Sequence, residues 1–509
     1  MKLLLPWLVF LSLQQWVFPI IPSQASTERE NIHSLINSTI FKPKEVPLSE
    51  EWPALDQEGD AARAFLYSSS SSPPPSSVYV GNQKGLRRAD KIRSLPQQPA
   101  GEKFNQYSGY VTVDPKAGRA LFYYFVESPQ NSSAKPLLLW LTGGPGCSSI
   151  GAGALLEVGP YKVKSDGKTL YRNDYAWNKV ANVIFLDSPA GVGFSYSNTT
   201  NDYNTTGDRR TATDSHVFLV NWLERFPQYK TRDFYIVGES YGGHYVPELA
   251  YTILAHNKHS RKQFINLKGI IVGNGFLDLD LTLKGNMDYL WSHALISDAS
   301  HEAITKYCDF VHGNYSTICN LYVLKARLDS ALVPIHYIYE PSYCNPNATK
   351  PKSPSSGYDK CSGLYVAAYL NRKNVKSSFH TVDTIWRDCS DKVGLANWKD
   401  APRTVVPILK QLIAENISIW LYSGDADEIV SVTATRLVID SMKLPVKTAW
   451  RPWLSNSGQE VGGYVEEYKG LTLVTIRVAG HAPPSYQPER ALTMITSFLQ
   501  GKLPPGLTS

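Results

Sequence analysis

The sequence predicts an α/β fold built on a mixed, mostly parallel β-sheet. Short continuous apolar runs recur along the chain, and such runs are typical of buried parallel strands. Helical segments, notably 211–226 and 246–256, separate several of the runs. Three polar residues that can carry chemistry, Ser240, Asp427 and His481, follow shortly after three of these runs. This alternation indicates a doubly wound sheet whose functional residues lie at the carboxyl ends of its strands.

The predicted strands begin with a hairpin and continue as single buried runs. The hairpin joins β-rich runs at 107–113 and 120–126. Between about 280 and 400 the alternation fades, and this region contains five of the six cysteines. We interpret it as an insertion over the sheet, with 345–357 as an exposed loop open to proteolysis. The single buried runs are 137–141, 182–186, 234–237, 269–272, 417–422 and 473–478.

The composition is that of a folded protein with a sizeable core. Of the 509 residues, 43% are hydrophobic and 19% are charged, which excludes wholesale disorder. The formal net charge is +6, but no basic block is interleaved with aromatic residues, so nucleic acid is not an expected partner. The sequence has no HExxH motif, no pair of CxxC motifs and no dinucleotide fingerprint. It therefore predicts neither a metal nor another cofactor.

Residues 1–25 have the features of a secretory signal peptide. Lys2 precedes an apolar run, and small residues end the segment at Ala25. A buried N-terminal helix is the alternative interpretation. The apolar run is too short and too interrupted to span a bilayer, so no membrane anchor is predicted. The segment 26–85 contains a Ser/Pro-rich tract that cannot form a core, and we interpret it as a propeptide or a disordered leader. The remainder, 86–509, is then one domain with the insertion.

A secretory route implies an oxidising compartment, in which the six cysteines are expected to form pairs. Asn-x-Ser/Thr triplets agree with this route, because they are acceptors for N-glycosylation in the secretory pathway. Together they predict a glycoprotein. The seven acceptors are Asn37, Asn131, Asn198, Asn204, Asn314, Asn347 and Asn416.

The candidate nucleophile lies in a Gly-Glu-Ser-Tyr-Gly motif at 238–242, between a predicted strand and a helix. This is the order of a nucleophile elbow, whose glycines allow the sharp turn that exposes Ser240. A serine hydroxyl is a weak nucleophile unless a base takes its proton and an acid orients that base. The elbow fold supplies the acid and then the base later in the chain, and Asp427 and His481 satisfy that order.

Two other residues compete for these roles. Asp425 also follows the strand at 417–422, but we favour Asp427 as the acid and expect Asp425 to cap the turn. His244 lies four residues after Ser240, on the following helix and facing away, so a structural role is favoured for it.

Several motifs resemble those of the plant serine carboxypeptidase family, including LTGGPGCSS at 141–149, GESYGGHYVP at 238–247 and SPAGVGFSY at 188–196. The similarity runs from about Lys91 to the C-terminus. It implies an α/β-hydrolase fold with a helical cap insertion, and a triad of nucleophile, acid and base. By this resemblance the triad is Ser240, Asp427 and His481, the oxyanion hole uses the backbone amides of Gly144 and Tyr241, and the disulfides are Cys147–Cys389, Cys308–Cys319 and Cys344–Cys361.

The resemblance also implies a site for the C-terminal carboxylate of a substrate. In the family an asparagine and two glutamates bind this group, and they correspond here to Thr142, Glu157 and Glu239. Carboxyl groups bind a carboxylate only when a proton is shared, so the pair implies raised pKa values and best activity in acid. A packing role is the alternative for each glutamate. Thr142 keeps a hydroxyl donor but lacks the reach of the asparagine amide.

The leading hypothesis is a serine carboxypeptidase that releases C-terminal residues from peptides or proteins through a Ser240 acyl-enzyme. Thr142 keeps open an acyltransferase that uses an ester donor, since Thr or Ser is common at this place in such relatives. Glu239 favours the peptidases, because the transferases tend to have Asp there. A catalytically silent binding protein on the same fold is the third hypothesis. The resemblance implies a secreted or vacuolar protein, and whether it forms a homodimer stays open.

Overall fold

The computed structural model describes residues 52, 53, 55, 78–101, 103–259, 264–340, 344, 358–394, 397–455 and 458–506. The predicted signal peptide, most of the predicted leader, the loop 345–357 and two glycosylation acceptors, Asn37 and Asn347, lie outside these residues. None of the described helices is long and apolar enough to cross a membrane.

The strands of the described chain form one large sheet and two small hairpins. In chain order they are Lys91–Ile92 (β1), Gln106–Asp114 (β2), Arg119–Val126 (β3), Leu137–Thr142 (β4), Tyr161–Val163 (β5), Leu170–Arg172 (β6), Asn182–Leu186 (β7), Phe234–Glu239 (β8), Leu267–Gly273 (β9), Cys308–Asp309 (β10), Asn314–Tyr315 (β11), Ser418–Gly424 (β12), Val446–Ser455 (β13), Glu460–Tyr468 (β14) and Leu471–Ile476 (β15).

The large sheet has eleven strands in the order β1-β2-β3-β7-β4-β8-β9-β12-β15-β14-β13. Its middle strands, from β7 to β15, are parallel neighbours, and antiparallel strands form both edges. The sheet is therefore mixed and mostly parallel at its centre, as the sequence predicts. Every predicted apolar run overlaps a strand of this sheet.

Helices cover both faces of the sheet. They are Leu86–Ala89 (α1), Asn201–Asn204 (α2), Asp208–Arg225 (α3), Gly242–His259 (α4), Leu279–Ser292 (α5), Asp298–Tyr307 (α6), Thr317–Asp329 (α7), Ser362–Leu370 (α8), Lys373–Ser378 (α9), Val406–Ala414 (α10), Val432–Met442 (α11), Pro483–Tyr486 (α12) and Pro488–Leu499 (α13), with a π-helix at Ile150–Glu157 and short 3₁₀ turns at Trp177–Lys179 and Pro227–Tyr229.

Two apolar cores lie on opposite faces of the sheet, which explains why its central strands are apolar over most of their length. Along β4, Leu139 and Leu141 belong to the core that contains residues of α3, α4 and α10. Leu138 and Trp140 belong to the core that contains residues of the π-helix, α8 and α13. Since successive side chains of a strand point to opposite faces, a strand covered on both sides needs apolar residues throughout.

The predicted insertion of about 280–400 contains the helices α5 to α9 and the β10–β11 hairpin, between β9 and β12 of the sheet. Residues of α5, α6 and α7 share a third, smaller apolar core with Ile296, Cys308 and Cys319. The first part of the insertion, α5 to α7, is thus a helical unit with its own core, whereas α8 and α9 pack into a core of the sheet.

The few described residues of segment 26–85 lie against the domain. Leu55 is buried, and its backbone N–H donates to Gln411 Oε1 at 2.7 Å. Gly81 N–H donates to Asn221 Oδ1 on α3, also at 2.7 Å. These residues belong to the folded domain, while the interpretation of 26–85 as a propeptide or a disordered leader stays a prediction.

Candidate active site

Ser240 lies on the turn between β8 and α4, as the motif predicts. Its φ of 61° is in the left-handed region, which a residue with a side chain adopts only when the surroundings enforce it. Two backbone hydrogen bonds do so: Ser240 N–H donates to the Gly273 carbonyl at 3.0 Å, and the Ser240 carbonyl accepts from Phe276 N–H at 2.9 Å. The segment that follows β9 therefore fixes the turn that presents Ser240.

Asp427 and His481 meet beyond the ends of β12 and β15. His481 Nδ1 donates to Asp427 Oδ2 at 2.8 Å, and the Asp427 carboxylate is fully buried. The same carboxylate accepts from the Asn274 amide at 2.7 Å and from the backbone N–H groups of Ile429 and Val430 at 2.9 and 3.1 Å. These donors fix the orientation of the acid, which in turn orients the imidazole.

Asp425 and His244 do not take part in this pair. Asp425 Oδ1 accepts from Val478 N–H at 2.6 Å, so it braces the turn that carries His481. The ring nitrogens of His244 lie 2.8 and 3.1 Å from the carbonyl oxygens of Phe276 and Pro402. Among the hydrogen bonds of the described residues, none joins Ser240 Oγ to His481, so the place of Ser240 in the site rests on its position in the turn.

The amides of Gly144 and Tyr241 lie on two turns that touch each other. A Cβ on Gly143 would be 2.3 Å from Tyr241 N and 2.6 Å from the Glu239 carbonyl oxygen, so only glycine allows this approach. Within the described residues, neither the Gly144 nor the Tyr241 amide donates a hydrogen bond. Gly144 is exposed and Tyr241 is buried, and two amides without an internal partner beside a serine are suited to bind an oxyanion.

Thr142 and Glu239 end the neighbouring strands β4 and β8 and face each other in register. Glu157, the last residue of the π-helix, reaches the same place, and its carboxyl is hydrogen-bonded to that of Glu239. Burial raises the pKa of Glu157 to about 7. Burial and the adjacent Glu157 carboxylate raise the pKa of Glu239 well above its usual value. Both buried carboxyls therefore keep their protons to a higher pH than an exposed glutamate does.

This carboxyl pair has unused hydrogen-bonding capacity. Within the described chain, Glu157 Oε2, Glu239 Oε2 and Tyr422 OH are buried without a hydrogen-bond partner. Thr142 Oγ1 accepts from Trp140 Nε1 at 2.9 Å, which leaves its hydroxyl proton available to a ligand. Buried polar atoms without partners are costly, so a cluster of them indicates a place for a polar ligand.

A backbone segment of the insertion, 335–338, braces both catalytic turns and was not predicted. The Ile335 carbonyl accepts from Glu428 N–H at 3.0 Å, and Ile338 N–H donates to the Ala426 carbonyl at 3.1 Å. Between these bonds, His481 N–H donates to the His336 carbonyl at 2.7 Å. The insertion therefore helps to set the distance between the candidate acid and the candidate base.

Three disulfides join Cys147 to Cys389, Cys308 to Cys319, and Cys344 to Cys361, the pairs that the resemblance implies. The first spans 242 residues and connects the glycine-rich turn after β4 to the end of the insertion. The glycosylation acceptors in the described chain are all exposed, as a glycan requires: Asn131, Asn198, Asn204, Asn314 and Asn416.

Comparison with known proteins agrees with this geometry. A family model described as serine carboxypeptidase matches residues 96–501. Serine carboxypeptidase-like 40 from Arabidopsis thaliana is 49% identical over 437 residues, which cover 84% of this chain and 85% of that protein. The chain belongs to the serine carboxypeptidase family. Serine carboxypeptidase 24 from the same plant is 47% identical over 434 residues, covering 81% of this chain and 92% of that protein.

A solved structure supports the fold of this serine carboxypeptidase family member. Kex1(Δ)p, a prohormone-processing carboxypeptidase from Saccharomyces cerevisiae, superposes with a TM-score of 0.70 over 82% of this chain and 96% of its own, at 23% identity. The fold is the α/β hydrolase, with a helical insertion, and the family makes the protein a serine-type hydrolase.

Proposed function

We propose that this protein is a serine carboxypeptidase that releases C-terminal residues from peptides or proteins. The observation that carries the proposal is the buried, hydrogen-bonded Glu157–Glu239 carboxyl pair, which has unpaired oxygens beside Thr142. A carboxyl pair that keeps its protons can donate a hydrogen bond to a carboxylate, whereas two ionised carboxyls would repel it. A free C-terminus is the part of a peptide that needs such a site.

The reaction assigns one role to each member of the site. Ser240 Oγ attacks the carbonyl carbon of the last peptide bond while His481 takes the hydroxyl proton, and Asp427 stabilises the imidazolium. The amides of Gly144 and Tyr241 bind the resulting oxyanion. His481 then gives its proton to the leaving amine, which departs as the free C-terminal residue. Water, deprotonated by His481, cleaves the acyl-enzyme and restores Ser240.

An acyltransferase is the second candidate, and Thr142 is the observation that favours it. An acyltransferase on this fold would form the same acyl-enzyme from an ester donor and pass the acyl group to an alcohol or amine instead of water. The peptidase and the transferase therefore share Ser240, Asp427 and His481 and differ in what the carboxyl pair and its neighbours bind.

The test compares two substrates at pH 5. Purified protein is incubated with a blocked dipeptide and, separately, with a glucose-ester acyl donor plus an alcohol acceptor. Release of free amino acid from the dipeptide, absent in Ser240→Ala, is the result we expect. Acyl transfer from the ester without peptide cleavage would overturn the peptidase in favour of the transferase, and activity unchanged in Ser240→Ala would overturn both.

Thr142 offers a second prediction for the peptidase. Thr142→Asn replaces the hydroxyl with an amide that can still accept from Trp140 while donating further into the site, and we expect the KM for a blocked dipeptide to fall about tenfold. Thr142→Val, which has almost the same shape and no donor, should raise that KM. Equal KM values in the two variants would remove Thr142 from carboxylate binding.

We also infer a secretory route for the protein. The disulfides favour an oxidising compartment, and the exposed acceptors are accessible to glycosylation. The protein, purified from a plant expression host, is treated with a glycosidase that removes Asn-linked glycans, and we expect its mass to fall. An unchanged mass would contradict the secretory route.

A further inference from the structure

The side chain of Tyr241 is held on all sides, although only its backbone amide has a role so far. The ring stacks on His244 with centroids 4.8 Å apart and planes 17° from parallel. Tyr245 and Trp398 meet it edge-on, at 5.2 and 5.9 Å. The phenolic hydroxyl donates to Asp208 Oδ2 at 3.1 Å. Because the ring is held in this way, the backbone dihedral angles of Tyr241 are restricted, and so is the direction of its N–H.

Asp208 connects Tyr241 to two other parts of the protein. It is the first residue of α3 and is fully buried. Its second oxygen, Oδ1, accepts from Trp398 Nε1 at 3.1 Å, and its backbone N–H donates to Asp400 Oδ1 at 2.5 Å. The carboxyl group thus uses one oxygen for the nucleophile turn and the other for the segment that ends the insertion.

Packing alone does not account for an aspartate at this place. A buried carboxyl group is unfavourable unless hydrogen bonds compensate it, and an apolar side chain would fill the same volume without that penalty. Burial and then the Asp400 carboxylate raise the pKa of Asp208 well above its usual value. What the aspartate adds is two directional bonds, to Tyr241 and to Trp398, which fix the ring that follows Ser240 in the chain.

We propose that Asp208 is a positioning residue for the oxyanion hole, holding the Tyr241 hydroxyl so that the Tyr241 amide points at the developing oxyanion. The inference rests on the proposed function, in which that amide stabilises the tetrahedral intermediate. Asp208 touches neither substrate nor reacting atoms, so it acts only through Tyr241.

Tyr241→Phe tests this most cleanly, because it removes one hydroxyl and leaves the ring and the amide in place. We expect kcat for a blocked dipeptide at pH 5 to fall about tenfold, less than complete loss of an oxyanion donor, with KM within about twofold of wild type. Affinity for a peptide aldehyde, which forms a tetrahedral adduct with Ser240, should fall by the same factor as kcat. Affinity for the shortened product, which forms no such adduct, should not change.

Tyr229→Phe is the matched control. The Tyr229 hydroxyl is also buried and donates to a carboxylate, Glu127 Oε1, at 3.0 Å, but on the 3₁₀ turn that follows α3, away from the catalytic turns. It should lower stability by a similar amount while kcat and the aldehyde affinity stay at the wild-type values. A fall in kcat equal to that of Tyr241→Phe would show a general effect of losing a buried hydroxyl and would overturn the proposal.

Asp208→Asn completes a double-mutant cycle. An asparagine offers one acceptor oxygen in place of two, so it cannot serve both Tyr241 and Trp398. If Asp208 acts through Tyr241, the fold-decrease in kcat of the double variant is smaller than the product of the fold-decreases of Asp208→Asn and Tyr241→Phe. Wild-type kcat in Tyr241→Phe would overturn the proposal even if Asp208→Asn fails to fold. The proposed function is judged separately, by whether Ser240→Ala abolishes peptide cleavage.

Discussion

At the scale of single residues, the chemistry of this site depends on carboxyl groups that keep their protons and on hydrogen-bond donors that are held in place. Glu157 and Glu239 are buried side by side, and burial raises the pKa values of both. Below a pH of about 7 Glu157 keeps its proton, and under the proposed function the pair then donates to the carboxylate of the substrate. Above that pH it gains negative charge, so binding of a free C-terminus weakens.

The alkaline limb of peptide cleavage should therefore belong to this pair. We expect KM for a blocked dipeptide to rise as the pH passes about 7, the raised pKa of Glu157, and to rise much less in Glu157→Gln, which stays neutral. Steady-state kinetics from pH 4 to 8 measure this. Glu127→Gln, a buried glutamate bonded to Tyr229, is the control and should keep the wild-type profile. An unchanged alkaline limb in Glu157→Gln would assign it to another group.

At the residue scale the sequence predicted residues that lie in local motifs and missed contacts between residues that are far apart in the chain. Ser240 lies within a recognisable turn, and Asp427 and His481 follow strands in the expected order. Asn274, which holds Asp427, follows β9 and has no motif of its own. Only the neighbouring positions of β9 and β12 in the sheet bring its amide to the carboxylate.

Among the secondary-structure elements, too, those with a clear local sequence pattern were predicted and the others were missed. The central strands were predicted because both of their faces are buried, which leaves continuous apolar runs. The edge strands β13 and β14 were missed, since half-exposed residues interrupt any apolar run in them. The π-helix that carries Glu157 was missed as well: Gly151 and Gly153 are weak helix formers, and they are required there by close contact with Trp386 and Trp140.

The described leader residues make contacts with α4 that the sequence did not indicate. Leu55 is 5% exposed, its carbonyl accepts from Lys258 Nζ at 2.8 Å, and the Pro53 carbonyl accepts from the Tyr251 hydroxyl at 2.7 Å. Both donors belong to α4, whose first turn follows Ser240. At 1.5 Å per residue, Lys258 lies roughly 24 Å along the helix from that turn, so the contact supports the helix without approaching the site.

Leu55→Ala should accordingly destabilise the protein without changing its catalysis. We expect the free energy of unfolding to fall by about 2 kcal/mol, the low end for a buried leucine, and kcat to stay at its wild-type value. Denaturant titration and the dipeptide assay measure the two effects. Val80→Ala, which shortens an exposed side chain of the same segment, is the control. Wild-type stability in Leu55→Ala would mean that this segment does not contribute to the fold.

For the whole molecule, buried carboxyls connect the site to stability. Burial raises the pKa values of Glu157, Glu239 and Glu248, and both carboxyl oxygens of Glu248 lack a partner within the described residues. Above the unfolded pKa, near 4.5, these groups ionise readily only in the unfolded chain, which then binds fewer protons than the folded protein. The stability that these three carboxyls contribute therefore falls as the pH rises from that value towards their folded pKa values.

The melting temperature should decrease between pH 4.5 and 7. Each such carboxyl contributes a loss of about 1.4 kcal/mol per pH unit within that window. Glu248→Gln removes one of them without changing the triad or the Glu157–Glu239 pair, so its melting temperature should depend less on pH than that of the wild type. Calorimetry across this range measures both slopes. A melting temperature that rises towards neutral pH would contradict the assignment of these groups as protonated in the folded protein.

The architecture of the whole chain was largely predictable, because strand and helix patterns repeat along it and the motifs mark the strand ends. The role of the insertion was not. Its segment 335–338 bonds to both catalytic turns, and Cys389 ties its far end to the glycine-rich turn. No local pattern indicates such contacts, since they join residues that are distant in the chain and meet only in the folded protein.

If the proposed function is right, Ser240 acts on substrates with a free C-terminal carboxylate. The most direct measurement compares kcat/KM at pH 5 for a blocked dipeptide with that for its C-terminal amide, in the wild type and in Ser240→Ala. We expect the wild type to cleave the free acid at least about tenfold better than the amide, the difference expected for one hydrogen bond to a charged group, and Ser240→Ala to cleave neither. Equal cleavage of acid and amide, or release of amino acid by Ser240→Ala, would contradict it.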